Sequence, residues 1–551
     1  MKNRYRITFV IAALLVCGSL FSLSVQAEEA PAGVHSAAAT SETIEAHGEM
    51  TETEEHQAAA SHAEEGTHGA VATHDAGAGH GEGHTGDFAE MMHHMAEEMA
   101  HNLPLWSGIP FVGILLSIAL FPLFAPHFWH HHFPKIAAFW AVLFAVPFLF
   151  VYKSLALYEI LHIYLLDYIP FIILLWGLFV TSGGVFLRGA LVGTPGLNTS
   201  LIAIGMILAS WMGTTGASML MIRPLLRANE FRKTRVHIVV FFIFLVSNIG
   251  GALTPLGDPP LFLGFLHGVP FFWTFKLSPH FLFTAGVVLL IFYLFDRMKF
   301  KQEADRIPTE KVLQEQEWPL RLEGVQNFLF LGGIIALVLV SGTWKPGHFT
   351  IYGVHMQYQN VMRDVGIIFM GILSIKFTHK KIREENHFTW FPIQEVAYLF
   401  AGIFMCIIPM LAMLKAGSTG AMGFIIEAVN SPRSYFWITG ALSSFLDNAP
   451  TYLSFFNLAL GQIGISEAQA HAILIGELAH PHALDFIADL KAISVGAVFF
   501  GAMTYIGNAP NFMVRSIAEE NKIPMPSFFG FMMWSVAILV PVFVLVMLIF
   551  I

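Results

Sequence analysis

Two carboxylates stand inside runs of helix-breaking residues, within segments otherwise apolar enough to cross a bilayer. Asp258 closes the run Gly250-Gly251-Ala252-Leu253-Thr254-Pro255-Leu256-Gly257-Asp258 and precedes Pro259-Pro260. Asp447 lies in Ser443-Ser444-Phe445-Leu446-Asp447-Asn448-Ala449-Pro450-Thr451. An ionised carboxylate at membrane depth is costly unless a cation or hydrogen bonds compensate it, which is the chemistry of exchanging a metal cation for protons. Either Asp could instead cap a half-helix N-terminus. Ser444, Asn448, Thr451, Asn248, Thr254, Thr504 and Asn508 add neutral oxygens suited to a small hard cation such as sodium. They serve equally well as hydrogen-bonding groups that brace the chain.

Each motif recurs in degenerate form. Ala209-Ser210-Trp211-Met212-Gly213-Thr214-Thr215-Gly216-Ala217-Ser218 matches the Asp447 run, and Phe500-Gly501-Ala502-Met503-Thr504-Tyr505-Ile506-Gly507-Asn508-Ala509-Pro510 matches the Asp258 run. Asn508 then sits where Asp258 sits, and Gly213 where Asp447 does, so each half keeps one carboxylate at a different motif. Gly250, Gly251, Gly257, Pro259, Pro450, Gly507 and Pro510 interrupt helix at these places and free backbone groups that cannot face lipid. A cation gains from unwound carbonyls and an anion from half-helix N-termini, so the breaks alone permit either substrate sign.

The elements that hold these motifs must be membrane helices. The chain is 55% hydrophobic and 12% charged, which marks an integral membrane protein. Spans of about 20 apolar residues are expected at 105–125, 137–158, 168–188, 236–268, 280–297, 325–342, 361–378, 392–414, 486–517 and 526–551. The segments 198–227 and 433–461 are broken near their midpoints and read as re-entrant hairpins. The order repeats, and five crossings per half is odd. The expected fold is therefore an all-α polytopic membrane protein of two inverted repeats, each about five spans plus one re-entrant hairpin, with one broken helix per repeat. Repeat 1 covers 105–299 and repeat 2 covers 325–551, joined by a cytoplasmic linker at 300–324. Arg188, the run from Arg223 to Arg235, the stretch from Arg297 to Arg321, and Lys376 to Arg383 fall on one side, which should be cytoplasmic. The mature N-terminus is then periplasmic, in a bacterial inner membrane. Glu159, Asp167, Asp364 and Glu395 fall near expected span ends, where interfacial solvation accounts for them.

Residues 1–27, with Lys2, Arg4 and Arg6 before an apolar stretch, read as a signal peptide ending at Val25-Gln26-Ala27. Residues 28–101 are rich in His, Glu, Ala and Gly and read as a disordered periplasmic tail. His80, His84, His93 and His94 could collect a divalent metal there. His127, His130, His131 and His132 read as an interfacial loop. Cys17 and Cys406 form no disulfide or metal framework. No nucleotide, nucleic-acid or protease motif is present, so the chain reads as a non-enzyme without a cofactor, energised by an ion gradient.

The runs Ser247 to Asp258 and Ser443 to Pro450 resemble motifs of NhaD-type sodium/proton antiporters within the ion transporter superfamily, over about residues 105–551. That resemblance implies an elevator-type carrier, usually dimeric, with Asp447 and Asn448 as hairpin residues and Asp258 as the acidic residue of the broken helix. Pro259-Pro260 and Asn508-Ala509-Pro510 depart from the antiporter pattern and look like a divergent subgroup labelled as citrate transport. The expected function is exchange of cytoplasmic Na+ for external H+ by a carrier embedded in the lipid bilayer, most simply a homodimer. The alternatives are a citrate or dicarboxylate carrier coupled to Na+ or H+, and a divalent metal transporter or sensor using the His-rich tail.

Overall fold

The computed structural model describes residues 83–189, 191–303 and 321–551. The signal peptide, the tail as far as residue 82 and most of the linker lie outside the described residues. The described chain is helical apart from short pieces, among them two antiparallel strand pairs, Phe186–Arg188 with Arg321–Glu323 and His348–Ile351 with Val354–Gln357. Among the described residues, ten helices are long and apolar enough to cross a membrane.

That number matches the expected spans, but the set differs. It includes Pro195–Met212, one arm of the first hairpin, and not Tyr358–Phe377, whose 20 residues carry Arg363, Asp364 and Lys376. The second helix starts at Pro126 and runs to Tyr152, so the four histidines read as a loop sit in its first two turns. Proline at its first position has a fixed φ that suits a helix start. Lys153, at φ 48°, breaks it, and helix resumes at Ser154 and runs to Ser182 through a π-helical turn at Tyr164–Tyr168. The expected third span therefore begins fourteen residues too late.

The tail also needs correcting at its end. Gly83–Asn102 is a helix, and Ala89, Met92, Met99, Ala100 and Leu103 are buried at helical spacing. This apolar stripe packs on the helices Phe391–Lys415 and Ser154–Ile163, enough contact to order a segment whose composition alone suggests disorder.

Both hairpins form, and side chains close each at its base. In the first, Thr194 caps the helix Pro195–Met212, which ends at Gly213 with φ 80°. That left-handed backbone suits glycine, and the chain turns directly into the helix Thr214–Ala228. Asn198 and Asn229 then exchange amide hydrogen bonds of 3.0 and 2.7 Å, and Gly193 N–H donates to Ala228 O. In the second, a Ser431/Ser434 capping box starts Pro432–Phe445, and Asn448–Ile463 returns until Tyr435 Oη donates to Gln462 Oε1 at 2.8 Å.

Both broken helices form as well. Val236–Leu245 is followed by a 3-10 turn at Ile249–Leu253 and by the helix Pro259–Leu266. Ala483–Phe500 is followed by Gly501–Met503 and Ala509–Glu520. The first halves lie at the centre of the core: Ile238 to Val246 and Ala492 to Phe499 are almost wholly buried, apolar on every side as a central helix must be. Pro126–Tyr152 lies at the other extreme, with Phe139 and Phe150 exposed as suits a lipid-facing helix.

Candidate functional site

The unwound stretches are built alike in both halves. Thr254 Oγ1 donates to Ser210 O of the first hairpin and accepts from Leu256 N–H. Thr504 Oγ1 donates to Ser444 O of the second hairpin and accepts from Ile506 and Gly507 N–H. Each threonine thus ties a hairpin to its broken helix. The glycines allow the crossing: a Cβ on Gly257 would stand 2.2 Å from Gly251 O, and one on Gly507 2.7 Å from Gly501 O. Gly250 contributes its carbonyl, which accepts from Ser210 Oγ at 2.5 Å. Pro259 and Pro260 open one half-helix, and Pro510 opens the other.

Asp258 is where the four motifs meet. Its Oδ1 accepts from Thr214 Oγ1 at 3.1 Å and Asn508 Nδ2 at 2.9 Å, and its Oδ2 accepts from Asn448 Nδ2 at 2.5 Å. Thr214 begins the return arm of the first hairpin, Asn448 that of the second, and Asn508 stands at the N-cap position of Ala509–Glu520 in the second broken helix, its amide turned to Asp258. One carboxylate is therefore held by one residue from each of the other three breaks. Asp258 is 1% exposed, and no Lys, Arg or His among the described residues reaches ion-pair distance of it. It stands at an N-cap position without capping, since its oxygens are engaged elsewhere.

Asp447 does the opposite. Its Oδ1 accepts from Ala449 N–H at 3.1 Å, capping the helix Asn448–Ile463, and it is only partly buried. The capping alternative thus holds for Asp447 and fails for Asp258. Asp447 also fixes the orientation of the turn that presents Asn448.

Two buried amide oxygens complete the site. Asn248 donates to Ile243 O and to Asn511 Oδ1, leaving its own Oδ1 without a hydrogen bond; Asn448 Oδ1 is also without one. Both side chains pack against Gly501, where a Cβ would lie 2.9 Å from Asn248 Oδ1, 3.4 Å from Gly507 O and 3.5 Å from Asn448 Nδ2. A buried acceptor without a partner is destabilising, and a small cation would satisfy it.

Of the expected site residues, the structure gathers Asp258, Asn448, Asn508 and Asn248. Thr254 and Thr504 brace the crossing. Ser444 Oγ donates to Gly440 O and Thr451 Oγ1 to Asp447 O, each within its own helix, though their lone pairs stay available. Pro450 lies in the first turn of the return arm. Thr214 and Asn511 were not singled out by sequence. Thr214 could have been found by repeat alignment, because it occupies the place of Asn448; Asn511, one residue past Pro510, carries no such signal. His93 and His94 are on the exposed face of the helix Gly83–Asn102, His93 beside Glu97, while His80 and the side chain of His84 lie outside the described residues. No group of three or more His, Cys, Asp or Glu side chains placed to hold one metal ion occurs among the described residues.

No curated protein matches the sequence. A family described as "Putative citrate transport" matches residues 100–551, which include every motif, hairpin and broken helix described above. The chain belongs to this family of membrane transporters.

Proposed function

We propose that the chain is a secondary active carrier that binds Na+ and H+ in turn at Asp258, exchanging cytoplasmic sodium for external protons. The observation that carries this reading is the three-donor hold on Asp258, a buried carboxylate with no basic partner among the described residues. When a proton occupies the carboxyl, one of its oxygens becomes a donor and the Thr214, Asn448 and Asn508 contacts must rearrange. On this reading sodium binds near Asp258, with the unpartnered Asn248 and Asn448 Oδ1 atoms and the Asp258 charge as its ligands. Because Asn448 touches both, the two ions compete, as exchange requires.

The alternating order of spans, hairpin and broken helix supports an inverted repeat, with the hairpins entering from opposite faces. On this proposal the two hairpins and broken helices move together as an elevator within a homodimer. The protein resides in a bacterial inner membrane with its mature N-terminus outside.

The family description favours a second reading, uptake of citrate or another carboxylate coupled to Na+ or H+. The same cation site would then serve coupling, and the anion would use half-helix N-termini and hydroxyl groups. Everted vesicles separate the two. Sodium-induced proton movement without uptake of labelled citrate supports exchange; citrate uptake that depends on sodium supports the second reading. Wild-type activity that survives in Asp258→Asn would overturn both.

A further inference from the structure

His267 ends the short helix Pro259–Leu266 whose other end is Asp258. Eight residues of helix are about 12 Å long, so the imidazole and the site carboxylate share one rigid rod. His267 is 7% exposed and stands between two carboxylates: Nε2 is 3.2 Å from Asp167 Oδ1, and Nδ1 is 3.1 Å from Glu467 Oε2. Glu467 in turn holds Lys415 Nζ at 2.8 Å. Asp167 is 3% exposed, in the π-helical turn of the span Ser154–Ser182, so it is not the solvated end residue that sequence suggests.

The four groups come from four elements. His267 and Glu467 belong with the broken helix and the second hairpin: Glu467 begins the helix that follows that hairpin, and His471 of the same helix donates from Nδ1 to Gly268 O at 2.6 Å. Asp167 and Lys415 belong to the spans Ser154–Ser182 and Phe391–Lys415, which pack on the outer helices. Two ionic rungs therefore bridge the inner group to the outer one, His267 to Asp167 and Glu467 to Lys415. Glu159 and His162 face the cluster from the outer side, and the Phe456 ring lies 6.2 Å from the imidazole on the inner side.

We propose that the His267 imidazolium is a latch that holds the helix Pro259–Leu266 to the Asp167 span, and that its loss of a proton frees the inner group to move. Only the imidazolium carries the charge that pairs with both carboxylates at these distances. Neutral imidazole loses both ion pairs and leaves Lys415 as the remaining cation of the cluster. This rests on the carrier reading, in which the inner group moves against the outer helices.

Hydrogen exchange of residues 259–268 in the full-length protein in lipid nanodiscs tests the latch without requiring transport. After correction for intrinsic rates, the wild type is expected to exchange slowly at acid pH and faster as pH rises through a single step. His267→Gln and Asp167→Asn are expected to lose that step and exchange fast throughout. No step in the wild type, or an unchanged step in either folded variant, would overturn the proposal. In vesicles, Asp167→Asn should keep a larger fraction of its alkaline flux at acid pH than the wild type does. A wild type with the exchange step but no flux of sodium, protons or citrate would refute the carrier reading and leave the latch standing.

Discussion

Asn448 Nδ2 lies 2.5 Å from Asp258 Oδ2, a contact made across 190 residues between the second hairpin and the first broken helix. Neither half can form the site alone. The second half presents the donors Asn448 and Asn508, and the first half presents the single acceptor they share with Thr214. At matching places in the two broken helices stand a carboxylate, Asp258, and an amide, Asn508, while the backbone bracing by Thr254 and Thr504 is alike in both.

The near equivalence of Asp258 and Asn508 makes the carboxylate movable. Their polar atoms are 2.9 Å apart, so Asp258→Asn with Asn508→Asp returns one acid and one amide to the same cluster. The single Asp258→Asn change is expected to lower coupled proton flux by about a hundredfold or more, the scale of a lost proton-transfer group. The double variant is expected to recover a measurable part of it in everted vesicles. Equal inactivity of a folded double variant would show that the position of the charge, and not its presence in the cluster, decides function.

Glycine substitutions separate the site from its scaffold. Gly501→Ala puts a methyl group 2.9 Å from Asn248 Oδ1, the end of a side chain that can shift. The fold should survive, with sodium affinity weakened about tenfold, equivalent to about 1.4 kcal/mol, as read by sodium-dependent thermal stabilisation. Gly257→Ala instead drives its methyl group against the Gly251 backbone carbonyl at 2.2 Å, which cannot swing aside as a side chain can. Its overpacking cost should reach or exceed the usual range of about 1–3 kcal/mol, seen as loss of monodisperse protein on purification. Gly286→Ala, with open space around the new methyl, is the silent control.

The site was more legible than its surroundings. Gly, Pro and Asp in duplicate announce broken helices because lipid cannot satisfy freed backbone groups, and those breaks lie where the sequence places them. The Asp258 hub was not legible, since Thr214, Asn448 and Asn508 converge only through tertiary packing. Asp167 was misplaced for a related reason: hydropathy puts it near a span end, whereas its partner His267 is a hundred residues further along the chain. The helix Gly83–Asn102 was hidden by composition, because its few buried methionines and alanines are diluted among His and Glu.

Arg232 and Asp296 lock the base of the first hairpin. Their Nη1 and Oδ1 atoms are 2.6 Å apart with both side chains fully buried, and Asp296 also meets His237 at 2.8 Å and accepts from Asn198 at 2.9 Å. Arg232→Met leaves the carboxylate buried without its cation, a loss of about 3–5 kcal/mol. Adding Asp296→Leu removes the stranded charge and should restore most of the stability. A residue of about 1–3 kcal/mol remains, because Asn198 and His237 lose their acceptor. Thermal unfolding of the two variants in detergent checks the order; a double variant less stable than Arg232→Met would contradict it.

The strap between the two halves should be insensitive to pH until strongly acid conditions. Arg188 of the strand Phe186–Arg188 donates to Glu323 of the paired strand at 2.7 Å and also to Glu385. The Arg188 hydrogen bonds hold the Glu385 carboxyl below its usual range. A carboxyl depressed in the folded state contributes stability above its unfolded value, about 4.3, and loses it only as pH falls through the lower folded value. Amide protection of residues 186–188 and 321–323 is therefore expected to stay level from neutral pH down to about 4.3 and to fall below it. Glu385→Gln should lower protection at neutral pH and flatten the acid loss, because the remaining amide cannot pair ionically with Arg188 at any pH. An acid loss of unchanged size in Glu385→Gln would show that Glu385 does not set the strap's pH response.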